Sequence, residues 1–242
     1  MNSRLEKLQE YPFQRLNQLL TGLEPPADKE RIMLSLGEPK HEPPSFIHDI
    51  LATGGDLLSG YPLTRGEGKL RESICHWLSR RFCINLDLLD PARHVLPVSG
   101  SREAIFSFIQ AAVDHSSHTT ARVAMPNPFY QIYEGATIMA GAAPYFLNNT
   151  EENNWLPQLH KVPEEIWHDT QLLILCSPDN PTGSVIPAEI YAEVLALADR
   201  YNFNVAADEC YSELYRDEDK PPVGLLQVAA AEGRTSFERC IV

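Results

Sequence analysis

The sequence predicts a three-layer α/β/α fold built around a mainly parallel sheet. Strand-like and helix-like segments alternate through residues 94–207, the pattern left by parallel strands joined through crossover helices. The run Leu172-Leu173-Ile174-Leu175-Cys176 is apolar without interruption, as a central strand covered on both faces requires. With 242 residues, 43% of them hydrophobic, there is enough apolar material for one large domain or two small ones.

Taken in order, residues 1–45 read as a short amphipathic helix followed by an arm that Pro25-Pro26 and Pro43-Pro44 stiffen and strip of amide donors. Over residues 66–82, Leu70, Ile74, Trp77, Leu78 and Phe82 recur at helical spacing and make one apolar stripe. Residues 94–98 form a short apolar run and a strand candidate, Ser99-Gly100-Ser101 a turn, and residues 102–113 a helix with Ile105, Phe106, Ile109 and Ala112 on one face. Residues 122–125 and 142–147 are further strand candidates, separated by a helix over 129–139. Beyond the apolar strand at 172–176, Pro187 sits where a first helical turn would open the helix 188–201, and 204–207 is the next strand. Residues 239–242 look like the beginning of one more strand, so the sheet is expected to be incomplete at the C-terminus.

Composition narrows the function. Twenty Lys plus Arg against 33 Asp plus Glu give a net charge of -13, which argues against nucleic acid or an anionic membrane as partner. The five cysteines are scattered, with no C-x-x-C pair and no zinc-ligand spacing, so they are read as reduced thiols and no metal is expected. The first residues lack the apolar core of a signal peptide, and no apolar run is long enough to span a bilayer. The cytoplasm is the expected compartment.

In open α/β sheets ligands gather at the carboxyl ends of the strands, and three segments fall there. Gly100-Ser101-Arg102 joins a strand candidate to a helix and offers unpaired amides at a helix N-terminus, a ready anion site; by residue type it is equally a tight turn. It is neither a Walker A loop nor a G-x-G-x-x-G fingerprint. Cys176-Ser177-Pro178-Asp179-Asn180-Pro181-Thr182-Gly183 follows the most apolar strand; Asn-Pro and Thr-Gly are also ordinary turn formers. Asp208 ends the strand 204–207 and is followed by Glu209 and Tyr211. A carboxylate there can pair with a protonated ring nitrogen, although a lone Asp would equally be a helix N-cap or a metal-type acid.

In this order the three segments resemble the class I/II aminotransferases, enzymes of fold type I that depend on pyridoxal 5'-phosphate (PLP). Asn180-Pro181-Thr182-Gly183 and Asp208-Glu209-x-Tyr211 carry the resemblance. It implies the large domain of the PLP-dependent transferases, with phosphate on the amides of Gly100, Ser101 and Arg102, the ring oxygen O3' on Asn180 and Tyr211, and the ring nitrogen on Asp208. Asp208 and Tyr211 are the implied catalytic groups, and Asn180 also faces substrate. Tyr130, in Pro128-Phe129-Tyr130, falls where the family stacks an aromatic ring on the cofactor; without the resemblance it is one more core aromatic.

Two earlier segments are similar to the family as well. Tyr61, heading Tyr61-Pro62-Leu63-Thr64-Arg65-Gly66-Glu67-Gly68-Lys69-Leu70-Arg71, matches the tyrosine that reaches the phosphate of a neighbouring subunit. Gly37, in Leu36-Gly37-Glu38-Pro39, matches a glycine lying against the substrate carboxylate. The resemblance therefore implies a homodimer with shared sites, residues 1–45 as an N-terminal arm and part of a small domain, and residues 46–242 as the PLP-binding large domain. Within the family, the runs beginning at Tyr11, Leu34 and Pro97 are most similar to bacterial succinyldiaminopimelate transaminases. The implied reaction moves an amino group from N-succinyl-LL-2,6-diaminopimelate to 2-oxoglutarate in lysine and diaminopimelate biosynthesis.

One departure is large. The six lysines, at positions 7, 29, 40, 69, 161 and 220, include none in the Ser-x-Ser-Lys context from which the family anchors PLP covalently. The 242 residues are expected to be a truncated piece without turnover of its own. A lyase or a transaminase of other amino acids remains open on the residues alone, as does a non-catalytic module of the same fold.

Overall fold

A computed structural model describes every residue of 1–242 except 31, 33, 36, 115 and 117–119, and the backbone alone at 56 and 57. Leu36 of the Leu36-Gly37 motif thus lies outside the described residues. These form two compact units, Gln9–Thr64 and a larger one made of Met1–Leu8 with Arg65–Val242.

The smaller unit holds α1 (Pro12–Leu19) and α2 (Ser45–Thr53). Pro12 opens α1 at the one place where its missing N–H leaves no bond unmade. Along α2, Phe46, Ile47, Ile50 and Leu51 share a face that is exposed to solvent.

The larger unit runs α3 (Gly68–Phe82), α4 (Pro91–His94), α5 (Ser101–Ala112), β1 (Arg122–Asn127), α6 (Gln131–Ala140), β2 (Ala143–Asn148), α7 (Glu164–Asp169), β3 (Thr170–Cys176), α8 (Ala188–Tyr201), β4 (Asn204–Asp208), α9 (Leu225–Ala231) and β5 (Cys240–Ile241). The strand expected at 94–98 is absent: His94 closes α4, and Val95 to Ser99 stay irregular. Pro97 brings no N–H to a ladder, and Leu96 and Val98 are 67% and 55% exposed, so that apolar run has no sheet to join.

Among the described residues the sheet has five strands, all parallel, in the order β2-β1-β3-β4-β5. Alternate residues of the central strand serve opposite layers. Leu173 and Leu175 pack with Leu78 and Phe82 of α3, Tyr191 and Leu195 of α8 and Leu225 of α9, whereas Leu172 and Ile174 pack with Ile109 of α5 and Tyr133 and Ala136 of α6. Leu172, Leu173, Ile174 and Leu175 are each at most 1% exposed. An unbroken apolar run is what a strand between two helical layers needs, and the three-layer expectation is met. Helix α6 ends at Gly141, whose φ of 88° lets the chain reverse directly into β2. Among the described residues no helix is long and apolar enough to cross a membrane.

The strand order fixes where a ligand can reach the sheet. From β1 the chain turns to one side to make β2, then crosses back to the other side for β3. Such a reversal opens a crevice beyond the carboxyl ends of β1 and β3, the usual binding place of open α/β folds.

Candidate active site

Three loops meet this carboxyl edge. Ser177, just past β3, donates its backbone N–H to the carbonyl of Asp208 at 3.1 Å, and Cys176 pairs in register with Asp208. The ends of β3 and β4 are therefore locked side by side. The peptide bonds before Pro128, Pro178 and Pro181 are cis.

Asp208 is the centre of the group. Its Oδ2 accepts a 2.7 Å hydrogen bond from the hydroxyl of Tyr133, and its Oδ1 accepts one of 3.3 Å from the backbone N–H of Cys210. Tyr133 is 1% exposed, and burial, with the Asp208 carboxylate second, pushes its phenol far above the ordinary value. The phenol therefore stays a donor, and Asp208 keeps an oriented carboxylate at the strand end. The Cys176 thiol is pushed up to about 11, chiefly by burial, so it stays protonated here.

The Asn180 side-chain amide donates to the Tyr211 hydroxyl at 3.1 Å, which brings the loop after β3 and the segment after β4 together. Asp179 shapes this loop. Its buried carboxylate accepts from the Thr182 backbone N–H at 3.2 Å and from the Thr182 hydroxyl, while its backbone bonds Ser184 and Gly183.

Gly100 is the N-cap of α5, with φ 148° and ψ 154°. A side chain there would be strained, and its first carbon would lie 3.0 Å from Oε2 of Glu103. The first-turn amides of Ser101 and Arg102 lie at the positive end of the helix dipole. Arg102 Nε donates to the Tyr130 hydroxyl at 3.1 Å, and the Tyr130 ring meets Tyr133 edge-on with centroids 5.9 Å apart. A continuous path thus runs Arg102, Tyr130, Tyr133, Asp208.

Of the expected site residues, Gly100, Ser101, Arg102, Tyr130, Asn180, Asp208 and Tyr211 belong to the sheet unit, linked by the contacts above. Gly37 and Tyr61 belong to the Gln9–Thr64 unit, where Tyr61 is fully exposed. Sequence reasoning missed Tyr133 and Asp179. Tyr133 sits one turn after Tyr130 on a helix face that carries core residues, so its pattern is that of packing. Asp179 had a signal, an acid three residues before Thr182 in a Pro-rich turn, the spacing of a local side-chain cap.

Glu209 is a half-buried acid. Its Oε1 accepts the Leu225 backbone N–H at 2.7 Å; its partial burial, opposed by that hydrogen bond and by Arg81 and reinforced by Asp208, raises its carboxyl from 4.5 to about 7. Because the folded chain holds this proton more tightly than the unfolded chain, the associated stability is whole below pH 4.5 and is lost as pH rises through about 7. The loss is on the order of 3 kcal/mol, the 2.5-unit difference between about 7 and 4.5 at about 1.4 kcal/mol per unit. Denaturant unfolding at pH 5 and pH 8 is expected to show this slope, and Glu209→Gln to flatten it; an unchanged slope would assign it to other groups.

Comparison with known proteins identifies the family. The family model described as "Aminotransferase class I and II" matches residues 29–236. An LL-diaminopimelate aminotransferase 2 of Nostoc sp. is 32% identical over 231 residues, covering 95% of this chain and 57% of that protein. The LL-diaminopimelate aminotransferase of Aquifex aeolicus is 35% identical over 172 residues, 71% of this chain and 42% of that one. Among solved structures, an aminotransferase from Neisseria meningitidis superposes with a TM-score of 0.89 at 41% identity, over 99% of this chain and 60% of its own. A probable N-succinyldiaminopimelate aminotransferase from Thermus thermophilus gives 0.71 at 25% identity, over 82% and 52%. The chain thus spans 57% of the length of the Nostoc relative it matches. With the family model matching more than four-fifths of its length, this chain belongs to the class I and II aminotransferases, a PLP-dependent family.

Proposed function

We propose that the protein is a PLP-dependent aminotransferase that moves an amino group between N-succinyl-LL-2,6-diaminopimelate and 2-oxoglutarate in diaminopimelate and lysine biosynthesis. The observation that carries the cofactor reading is the Tyr133-supported carboxylate of Asp208 beside the Asn180–Tyr211 pair, at the carboxyl edge of a parallel sheet. These groups fit PLP by their chemistry. A fixed carboxylate suits a protonated ring nitrogen, an amide and a phenol suit O3', and first-turn amides beside Gly100, where no side chain intrudes, suit a phosphate.

When bound, PLP supplies an electron sink for negative charge at the amino-acid Cα. On the protein side, Asp208 would hold the ring-nitrogen proton, with the Tyr133 hydroxyl keeping that carboxylate aimed. Asn180 and Tyr211 would orient the ring through O3', and Asn180 would also meet substrate. Gly100, Ser101 and Arg102 would bind phosphate, while Tyr130 would cover one ring face. Gly37 would lie along the substrate carboxylate, and Tyr61 would reach the phosphate of a second subunit in a homodimer. Residues 1–45 contribute arm and small domain, and 46–242 the cofactor domain. The cytoplasm is the proposed location, supported by five free cysteines and an acidic composition.

A second reading takes unmodified LL-diaminopimelate as the amino compound, and the names of the Nostoc and Aquifex relatives favour it. Amino-donor profiling of the native protein with 2-oxoglutarate as acceptor separates the two. A higher kcat/KM for the N-succinyl compound supports the first reading, a higher value for LL-diaminopimelate the second. Transfer from neither by the protein isolated from its natural source, as distinct from the 242 residues produced alone, would overturn both.

A further inference from the structure

Beyond the groups that would touch a cofactor, the structure holds a second polar cluster around the Asp208–Tyr211 segment, built on the buried Arg81 side chain and the half-buried Glu209. Arg81, in the last turn of α3, has a side chain only 8% exposed. Its Nη2 donates to the carbonyls of Ser212 at 2.8 Å and Pro222 at 3.1 Å, and its Nε to the Glu213 carboxylate at 2.6 Å. Its guanidinium lies 4.6 Å from the Phe82 ring centroid and 5.4 Å from that of Tyr215. One side chain of α3 therefore grips both ends of the loop that follows Tyr211.

Glu209 holds the same segment from the opposite direction. It stands between Asp208 and Tyr211 in sequence, and its Oε1 accepts the Leu225 N–H at the start of α9. Gly224 leaves the space for this contact, since a side chain there would begin 2.8 Å from Glu209 Oε2 and 2.7 Å from the Phe82 ring. The buried Tyr191 hydroxyl of α8 has no hydrogen-bond partner among the described residues. Neither Arg81 nor Glu209 is used by the reading of the site given above.

We propose that Arg81 and Glu209 form a clamp that sets the position of Asp208 and Tyr211, anchoring their connecting segment to α3 and α9. Both are positioning residues. The clamp itself follows from the geometry alone; its effect on PLP rests on the proposed cofactor site. The physical reason is that β4 fixes only Asp208. Past it the chain has left the sheet, and Tyr211 keeps its place opposite Asn180 only if the following loop is held. Charge-assisted hydrogen bonds from a buried guanidinium do this with little residual motion, because the planar fork is already organised.

Amide hydrogen exchange and PLP titration, run on the purified protein and on Arg81→Ala, Glu209→Ala and Glu209→Gln, test the clamp. The Ser212 and Leu214 amides, which donate to the carbonyls of Glu209 and Tyr211, report the loop. The two alanine variants are expected to speed exchange there about tenfold to a hundredfold while β1 and β3 stay as protected as before, and to weaken PLP binding by a similar factor. Glu209→Gln keeps an acceptor for Leu225 and is expected to restore both. Exchange speeded equally through β1 and β3 would make the cluster a general stability element and overturn the proposal. So would alanine variants that bind PLP as tightly as the parent. If the parent itself binds no PLP, the cofactor reading fails, and the exchange pattern still decides the clamp.

Discussion

The 242-residue polypeptide, produced by itself, is expected to transaminate no amino acid at an enzyme-like rate and to show no mass increase after incubation with PLP and borohydride. Covalent anchorage of PLP needs a lysine amine at the ring's aldehyde, and the six lysines offer none in the family's Ser-x-Ser-Lys setting. Lys7 lies in a 3-10 turn, Lys69 in the first turn of α3, Lys161 in another 3-10 turn, and Lys220 pairs with Asp217 at 3.6 Å; none follows directly on a strand. Lys29 and Lys40 belong to the Gln9–Thr64 unit. Without an amine placed to move the proton, a general acid–base contribution of about 10²–10⁴-fold is missing, beyond what the lost anchor removes. Intact mass spectrometry after reduction and an amino-transfer assay check this. A stoichiometric reduced adduct on one lysine would show that one of the six serves after all.

Asp208→Ala is expected to weaken non-covalent PLP binding about tenfold to a hundredfold, the range for one charge-assisted hydrogen bond lost in a partly buried site. Two effects act in this variant, because the buried Tyr133 hydroxyl also loses its acceptor. Asp208→Asn separates them. An asparagine keeps an acceptor for Tyr133 and approximates the shape, yet it carries no charge to hold a ring-nitrogen proton. Equal losses in Ala and Asn would place the effect in the charge; a loss in Ala alone would place it in the packing of Tyr133. Spectrophotometric titration with PLP measures both variants.

Much of the fold could be read from residue pattern, since its logic is local. The unbroken Leu172-Leu173-Ile174-Leu175 run became the central strand β3, and the expected helix over 188–201 is α8 as drawn, with Pro187 before it and Asn202 in a left-handed turn after it. Residues 94–98 misled because apolar content alone resembles a strand, and only the tertiary structure reveals that Leu96 and Val98 have no partner. The cradle groups were legible where a chemical residue stands at the end of a strand, as Asp208 ends β4. Tyr133, Arg81 and Glu209 were not, because each acts through a contact made by folding, whereas the local Asp179–Thr182 pair carried a signal in its three-residue spacing. Arg81 lies 131 residues from the Ser212 carbonyl it holds, and no spacing rule reaches that far. A buried arginine near a helix end reads in sequence as a surface charge completing the helix dipole.

The central claim is that Asp208 keeps a proton on the cofactor's ring nitrogen. It is tested most directly by ¹⁵N NMR of PLP labelled at that nitrogen and bound to the protein near pH 7.5. A resonance in the pyridinium range for the parent, moving to the neutral-pyridine range in Asp208→Asn, is the predicted result. A neutral ring nitrogen in the parent, or a pyridinium that persists unchanged in Asp208→Asn, would contradict it.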